Sequence, residues 1–257
     1  MPKLVNPLNL VFPLMALALI LSAFGCSGAS NDPRVEPTRP PVTSRLLSTT
    51  VEPTQPPVTS QLLKPTATPV PPGPEGDSST AKEIAYSYAN KAEEHLRLGQ
   101  YVQAIAELNQ AIELMPSFYV LYGNRGRAYF ENGQFQLAIE DWNQAIELSP
   151  EEATLYWFRG GVYLVQGKQR LAIQDLDKAI ALDPSEADYH YLRAESYFEL
   201  SEYEAAKIDY DMAIAINPKY AEAYYSRSWV NRGLGLEDEA IRDADMACQL
   251  GMKNIGC

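Results

Sequence analysis

Apolar and polar positions fall into three unlike patterns along this chain. From Leu10 to Phe24 the run is apolar apart from Ser22. Fifteen residues suit the hydrophobic stretch of an export signal and are short for a membrane span. From Ser27 to Thr80 there is no helical or strand period; twelve prolines interrupt a stretch with no Phe, Trp or Tyr. From Ala85 onward apolar residues recur at helical spacing, as in Leu137, Ala138, Trp142, Ala145 and Ile146.

The third region repeats itself every 34 residues. Gly99, Gly133, Gly167 and Gly235 stand at that spacing or its multiple, with Ser201 in the missing place. Pro116, Pro150, Pro184 and Pro218 follow the same period. So do Ala104, Ala138, Ala172, Ala206 and Ala240, and again Ala111, Ala145, Ala179, Ala213 and Ala247. Four coincident ladders exclude chance and mark a repeat array. Each unit predicts two amphipathic helices, with the glycine breaking the chain between them and the proline ending the second. Small residues at Gly126, Ala138 and Ala145 let paired backbones approach closely. One unit cannot bury its apolar face alone, so neighbours must stack.

The best-formed unit runs from Tyr119 to Glu152 and contains Tyr122-Gly-Asn-Arg-Gly-Arg-Ala-Tyr129, Gly133-Gln-Phe135, Ala138-Ile-Glu-Asp-Trp-Asn-Gln-Ala145 and Pro150. It resembles the tetratricopeptide repeat almost position for position. The resemblance implies an all-α fold: a right-handed solenoid of five helix-turn-helix repeats, at about 85–118, 119–152, 153–186, 187–220 and 221–254, in a domain spanning 81–257. Gln169 and Glu237 depart from the aromatic usual after the turn, so units three and five are expected to be looser there.

Two polar ladders run through the array. Arg125, Arg159, Arg193 and Arg227 recur on first helices; Glu107, Asp141, Asp175, Asp209 and Asp243 recur on second helices. A row copied into every unit reads as architecture, each Arg meeting an acid of its own or an adjacent unit, rather than as an anion grip. The resemblance further implies that first helices line a concave groove. Its inward side chains include Asn124, Arg127, Phe130, Trp157, Phe158, Leu164, Tyr191, Glu195, Phe198, Tyr225, Trp229 and Arg232. These vary between units, and Trp, Tyr and Arg are the residues that most often dominate interface energetics. Phe158 and Phe198 have a second reading, as rings packed between helices. The Lys/Asn clamp by which some members of the family hold a terminal carboxylate is absent. The expected ligand is an extended or helical protein segment with apolar side chains, bound at micromolar affinity.

Charge and composition narrow the chemistry. Net charge is −12, and residues 1–80 hold five groups of each sign, so 81–257 carries 16 basic against 28 acidic side chains. Such a surface repels phosphate backbones, which argues against nucleic acid as a partner; solubility accounts for the acidity. Two His and three Cys leave no basis for a metal site or cofactor. No catalytic constellation is present; Gly233-x-Gly235 lacks the strand that a phosphate loop needs. His95 and His190 read as isolated surface or groove residues. The chain is therefore expected not to be an enzyme, with an enzyme subunit as the remote alternative.

At the N-terminus, Met1 and Lys3 precede the apolar run, and Ser22-Ala-Phe-Gly-Cys26 follows. This resembles the bacterial lipobox, with Ala23 where Leu is usual and Phe24 large for its place. It implies a signal peptide at 1–25, cleavage before Cys26, and a diacylglycerol on the Cys26 thiol, whose two acyl chains anchor firmly where one binds only marginally. An uncleaved anchor and a freely secreted product are the alternatives. Residues 26–80 form a disordered Pro/Ser/Thr-rich tether in which Val35–Leu47 recurs as Val51–Leu63. Its prolines block helix and sheet and favour an extended, partly polyproline II stalk.

The combined expectation is a lipid-anchored protein of the cell membrane or outer envelope, facing outside the cytoplasm. It binds envelope or secreted proteins as an assembly scaffold or adaptor. The rival is a structural solenoid that self-associates through its C-terminal repeat, since only seven residues follow Leu250 and no separate polar capping helix is expected. Two readings stand for Cys248 and Cys257: a disulfide that pins the tail over the last helix, or a small buried residue and a frayed terminus.

Overall fold

A glycine at φ near +70° turns the backbone where an L-residue does so only at a cost. The computed structural model describes residues 78–252. The signal peptide, most of the tether, Cys26 and Cys257 lie outside them. Ten helices occupy the described residues: α1 (Ser78–Arg97), α2 (Tyr101–Leu114), α3 (Tyr119–Glu131), α4 (Phe135–Leu148), α5 (Ala153–Val165), α6 (Gln169–Leu182), α7 (Ala187–Glu199), α8 (Tyr203–Ile216), α9 (Ala221–Gly233) and α10 (Glu237–Gln249). They pack as five consecutive antiparallel pairs, each pair resting on the next.

Within each pair the turn is the same. Gly133 has φ +75, and the Gln134 N–H donates back to Tyr129 O at 2.8 Å. This six-to-one bond with a left-handed residue before it satisfies carbonyls that a helix end leaves open. Gly99, Gly167 and Gly235 repeat it at φ +70, +71 and +76, and Ser201 repeats it at φ +60 with a side chain in place. Between pairs, the residue before each proline leaves helical geometry, as the proline ring requires. Ser149 sits at φ −145, ψ 82 and Asp183 at φ −140, ψ 97.

Both alanine ladders are sealed. Every one of the ten alanines is at 0% exposure, so the close approach of paired backbones is repeated without exception. Gly126 shows why small residues are needed opposite them: a Cβ there would meet Trp142 Nε1 at 2.9 Å. The space is filled by Trp142, which is fully buried and donates its indole N–H to Gly123 O at 3.1 Å. Aromatics after the turn lock the pairs further. Phe135 lies 5.6 Å from Phe130, and Tyr203 lies 5.7 Å from Phe198, ring centre to ring centre. Gln169 and Glu237 supply no ring at the corresponding places in units three and five.

At the far end, Gly251 takes φ +109, and the Met252 N–H returns to Ala247 O. Cys248 is half-buried on α10 and disulfide-bonded, its partner lying outside the described residues. Among the described residues, no helix is long and apolar enough to cross a membrane.

Ser201 carries a cost that its four glycine counterparts avoid. A left-handed non-glycine residue is disfavoured by about 1–2 kcal/mol, partly offset by glycine's greater freedom when unfolded. Ser201→Gly is therefore expected to stabilise the protein by about 0.5–1 kcal/mol in urea denaturation. A destabilised variant would show that the serine side chain holds the turn by other means.

Candidate protein-binding face

Each first helix after α1 carries one arginine that holds three helices together. Arg125 on α3 donates through Nε and Nη2 to Asp141 on α4, at 2.8 and 2.7 Å. Its Nη1 donates to Asn109 on α2 of the preceding unit at 2.7 Å. Arg159 makes the same contacts with Asp175 and Asn143, Arg193 with Asp209 and Asp177, and Arg227 with Asp243 and Asp211. The ladder is therefore structural, and these guanidiniums are committed to the frame. Burial opposes the charge of all four arginines, but hydrogen bonds and attraction from the facing carboxylates outweigh it and raise their pKa.

The Tyr three residues before the arginine completes the frame. Tyr122 and Tyr156 lie under their guanidiniums at 5.6 and 5.7 Å and donate their hydroxyls to Pro116 O and Pro150 O. The Tyr224 ring likewise lies 5.4 Å from the Arg227 guanidinium. Unit four departs: His190 stands in this row, buried, with Nδ1 3.3 Å from Asp209 Oδ1. The expectation of a surface or groove histidine is corrected here, because the tyrosine row faces the packed frame. His95 is half-exposed and meets Gln100 Oε1 at 2.6 Å. Two otherwise equivalent carboxylates consequently titrate in opposite directions. Burial dominates at Asp141, beside Glu140, and raises its carboxyl. At Asp209, burial is opposed by Arg193 and by His190, and the carboxyl is held below its usual range.

The twelve proposed groove residues divide by exposure. Asn124, Phe130, Leu164, Tyr191 and Glu195 are buried. Phe130 packs between Phe135 and Trp142. Leu164 joins Ala172, Leu176 and Leu192. Tyr191 stacks on Tyr220 at 5.1 Å, and Glu195 accepts the Tyr210 hydroxyl at 2.5 Å. These five are core side chains, held there by neighbours from their own and adjacent units. Phe158 lies parallel to Trp142 at 5.5 Å, and Phe198 packs on Tyr203; both are half-exposed rings between helices, the second of the two readings given for them.

What remains open is narrower. Arg127, Trp157, Tyr225 and Trp229 are half-exposed, and Arg232 is exposed. Trp157 leans on Phe158 at 4.7 Å and on Tyr189 of the next unit at 6.1 Å. In unit five, Tyr225 meets Trp229 edge-to-face at 6.2 Å, and the Arg232 guanidinium lies 5.2 Å from the Trp229 ring. Tyr225, Trp229 and Arg232 share one helix face at i, i+4 and i+7 spacing. The indole N–H groups of Trp157 and Trp229 are buried and have no acceptor among the described residues. A separate open hollow on α1 is lined by Glu83, Tyr86, Ser87, Asn90, Lys91 and Glu94. No group of three or more His, Cys, Asp or Glu among the described residues is arranged to hold a metal ion.

The buried Glu195–Tyr210 pair was not foreseen from sequence. Arg193→Ala is expected to cost about 3 kcal/mol at neutral pH, because it leaves Asp209 buried without its main partner. Asp209's lowered pKa makes its contribution complete above the ordinary carboxylate range and lost as pH falls through the folded value. The gap between wild type and variant should therefore narrow in acid. Urea melts at pH 7 and pH 3 measure it; a gap of equal size at both would show that packing, not charge, carries the loss.

Comparison with known proteins agrees with this geometry. Tetratricopeptide-repeat models match residues 85–118 and, in overlapping segments, 124–187, 162–221 and 191–255. No curated protein matches the sequence. Among solved structures, MamA is similar over 65% of this chain and 92% of its own, with 26% identity and a TM-score of 0.59. YrrB, described as a tetratricopeptide protein with an unusual peptide-binding site, covers 70% of this chain and 95% of its own at 19% identity and a TM-score of 0.57. Pseudomonas aeruginosa pilF covers 68% and 80% at 19% identity and a TM-score of 0.63. With the repeat models spanning the ten helices, the chain belongs to the tetratricopeptide repeat family.

Proposed function

We propose that this protein is an extracytoplasmic adaptor or assembly scaffold, tethered to a membrane through lipid on Cys26, that binds a protein segment on its first-helix face. The observation that carries the binding role is the Tyr225–Trp229–Arg232 platform, where half-exposed rings and a cation share one surface. Such a platform offers a large, rigid contact area at low entropic cost, the character of an interface hot spot. The unpartnered Trp229 N–H favours a ligand that presents a carbonyl oxygen beside an apolar side chain. YrrB's peptide-binding site supports the same use of the fold. No catalytic role enters this reading.

The anchor rests on the Ser22-Ala-Phe-Gly-Cys26 pattern and the proline-rich stretch after it, which would set the repeats away from the bilayer. The envelope partner follows from that location.

Trp229→Ala and Arg232→Ala are expected to weaken capture of the bound envelope protein, Trp229→Ala by about 2 kcal/mol, near thirtyfold in affinity. Circular dichroism should stay native for both. Trp157→Ala should lower stability as well as binding, since its ring packs across a unit junction. Binding that survives both unit-five variants would place the site elsewhere on the solenoid.

For the anchor, Cys26→Ala should move the protein from the detergent phase to the aqueous phase, or leave it uncleaved. A mature chain that begins at Cys26 and carries no lipid, from a host able to make lipoproteins, would sink this part of the reading.

A further inference from the structure

The two ends of the array are not alike, and the frame that joins its units shows what each end offers. At each of the four internal junctions, one register on the second helix accepts the arginine of the next unit: Asn109, Asn143, Asp177 and Asp211. The same register on α10 is Asp245, which is exposed and has no partner among the described residues. Four residues earlier, Ile241 stands in the register of Ile139 and Ile173. Those are 5% and 7% exposed, sealed beneath the following unit; Ile241 is 54% exposed. The last helix therefore keeps the acceptor and the apolar seat of a junction.

The first helix keeps the complementary half. Tyr88 and Lys91 occupy the register of Tyr122–Arg125, Tyr156–Arg159 and Tyr224–Arg227, and the Lys91 ammonium lies 5.3 Å from the Tyr88 ring, as the arginines lie over theirs. Seven residues to either side, Ile84 and Leu98 are 44% and 53% exposed. They hold the registers of Phe118 and Leu234, which pack on the cores at their own junctions. The hollow on α1 opens beside Lys91.

We propose that a second copy of this chain docks head to tail, α1 of one copy on the outer face of α10 of the other, with Lys91 donating to Asp245. Charge selects this pairing. Helix α10 bears five acids and one arginine, so two α10 faces repel each other and a two-fold contact through that helix is disfavoured. A head-to-tail contact brings the lysine end to the acidic end. It does not close on itself, so copies add into an open row. The contact is weaker than an internal junction, because Ser87 and Glu94 replace Leu121 and Ala128 at its centre. The assembly is therefore reversible and concentration-dependent.

Sedimentation velocity of the full chain in density-matched non-ionic detergent, over a concentration series, tests this. The weight-average mass is expected to rise with concentration and to fall back as salt is raised. Lys91→Glu and Asp245→Lys should each weaken association about tenfold or more, and the two together in one chain should restore it. Mixing the two single variants should also restore it, while each alone stays monomeric. Glu94→Ala should strengthen association. Both charged side chains are exposed, so native circular dichroism is expected throughout. A wild-type chain that remains monomeric across the series overturns the proposal, as does association indifferent to Asp245→Lys. Association that needs removal of residues 253–257 would also overturn it, naming the chain's own tail as the occupant of the α10 face.

Discussion

The arginine that bridges two second helices through its own first helix is the interaction on which the array depends. Its two nitrogens facing one carboxylate fix the angle within a unit, and the third fixes that unit's position on the preceding one. A planar fork does this where a lysine cannot, since it grips two directions at once without free rotation. Unit one shows the contrast. Lys91 replaces the arginine, Glu107 replaces the aspartate, and one Glu107 oxygen is left buried without a donor. No earlier unit has to be positioned there among the described residues, and the fork is not kept.

The alanine ladders and the arginine frame divide the labour. Alanine sets how closely helices approach, and the fork sets which register they adopt once close. Neither suffices alone: apolar packing between near-identical units is tolerant of slippage, and a buried fork without close packing would be solvated away. Trp142, with its ring against Gly126 and Phe158, shows how close the paired helices come.

The helices and their turns were legible because each rests on a local rule repeated four or five times. Glycine at φ near +70, proline after a non-helical residue and alanine at the crossing are properties of single positions. The binding face was less legible, because inward direction and openness are different properties. Phe130, Leu164 and Arg232 hold the same place in their units, yet the first two are sealed by neighbours and only the third is exposed. Phe135 and Trp142 cover Phe130, and Leu176 and Leu192 cover the apolar Leu164, whereas Arg232 is a charged side chain whose unit has Glu237 after the turn and no ring. His190 was misread for a related reason. Its isolation in the sequence suggested a surface residue, while its place in a row of tyrosines puts it against Asp209.

The identity of the junction acceptors changes along the array, from Asn109 and Asn143 to Asp177 and Asp211. In the first two junctions one guanidinium balances one carboxylate. In the last two it faces two carboxylates, and at the final junction Lys207, 3.6 Å from Asp211, offsets the second. The last two junctions are thus charge-assisted where the first two are neutral on the acceptor side, so added salt weakens those two more than the first two.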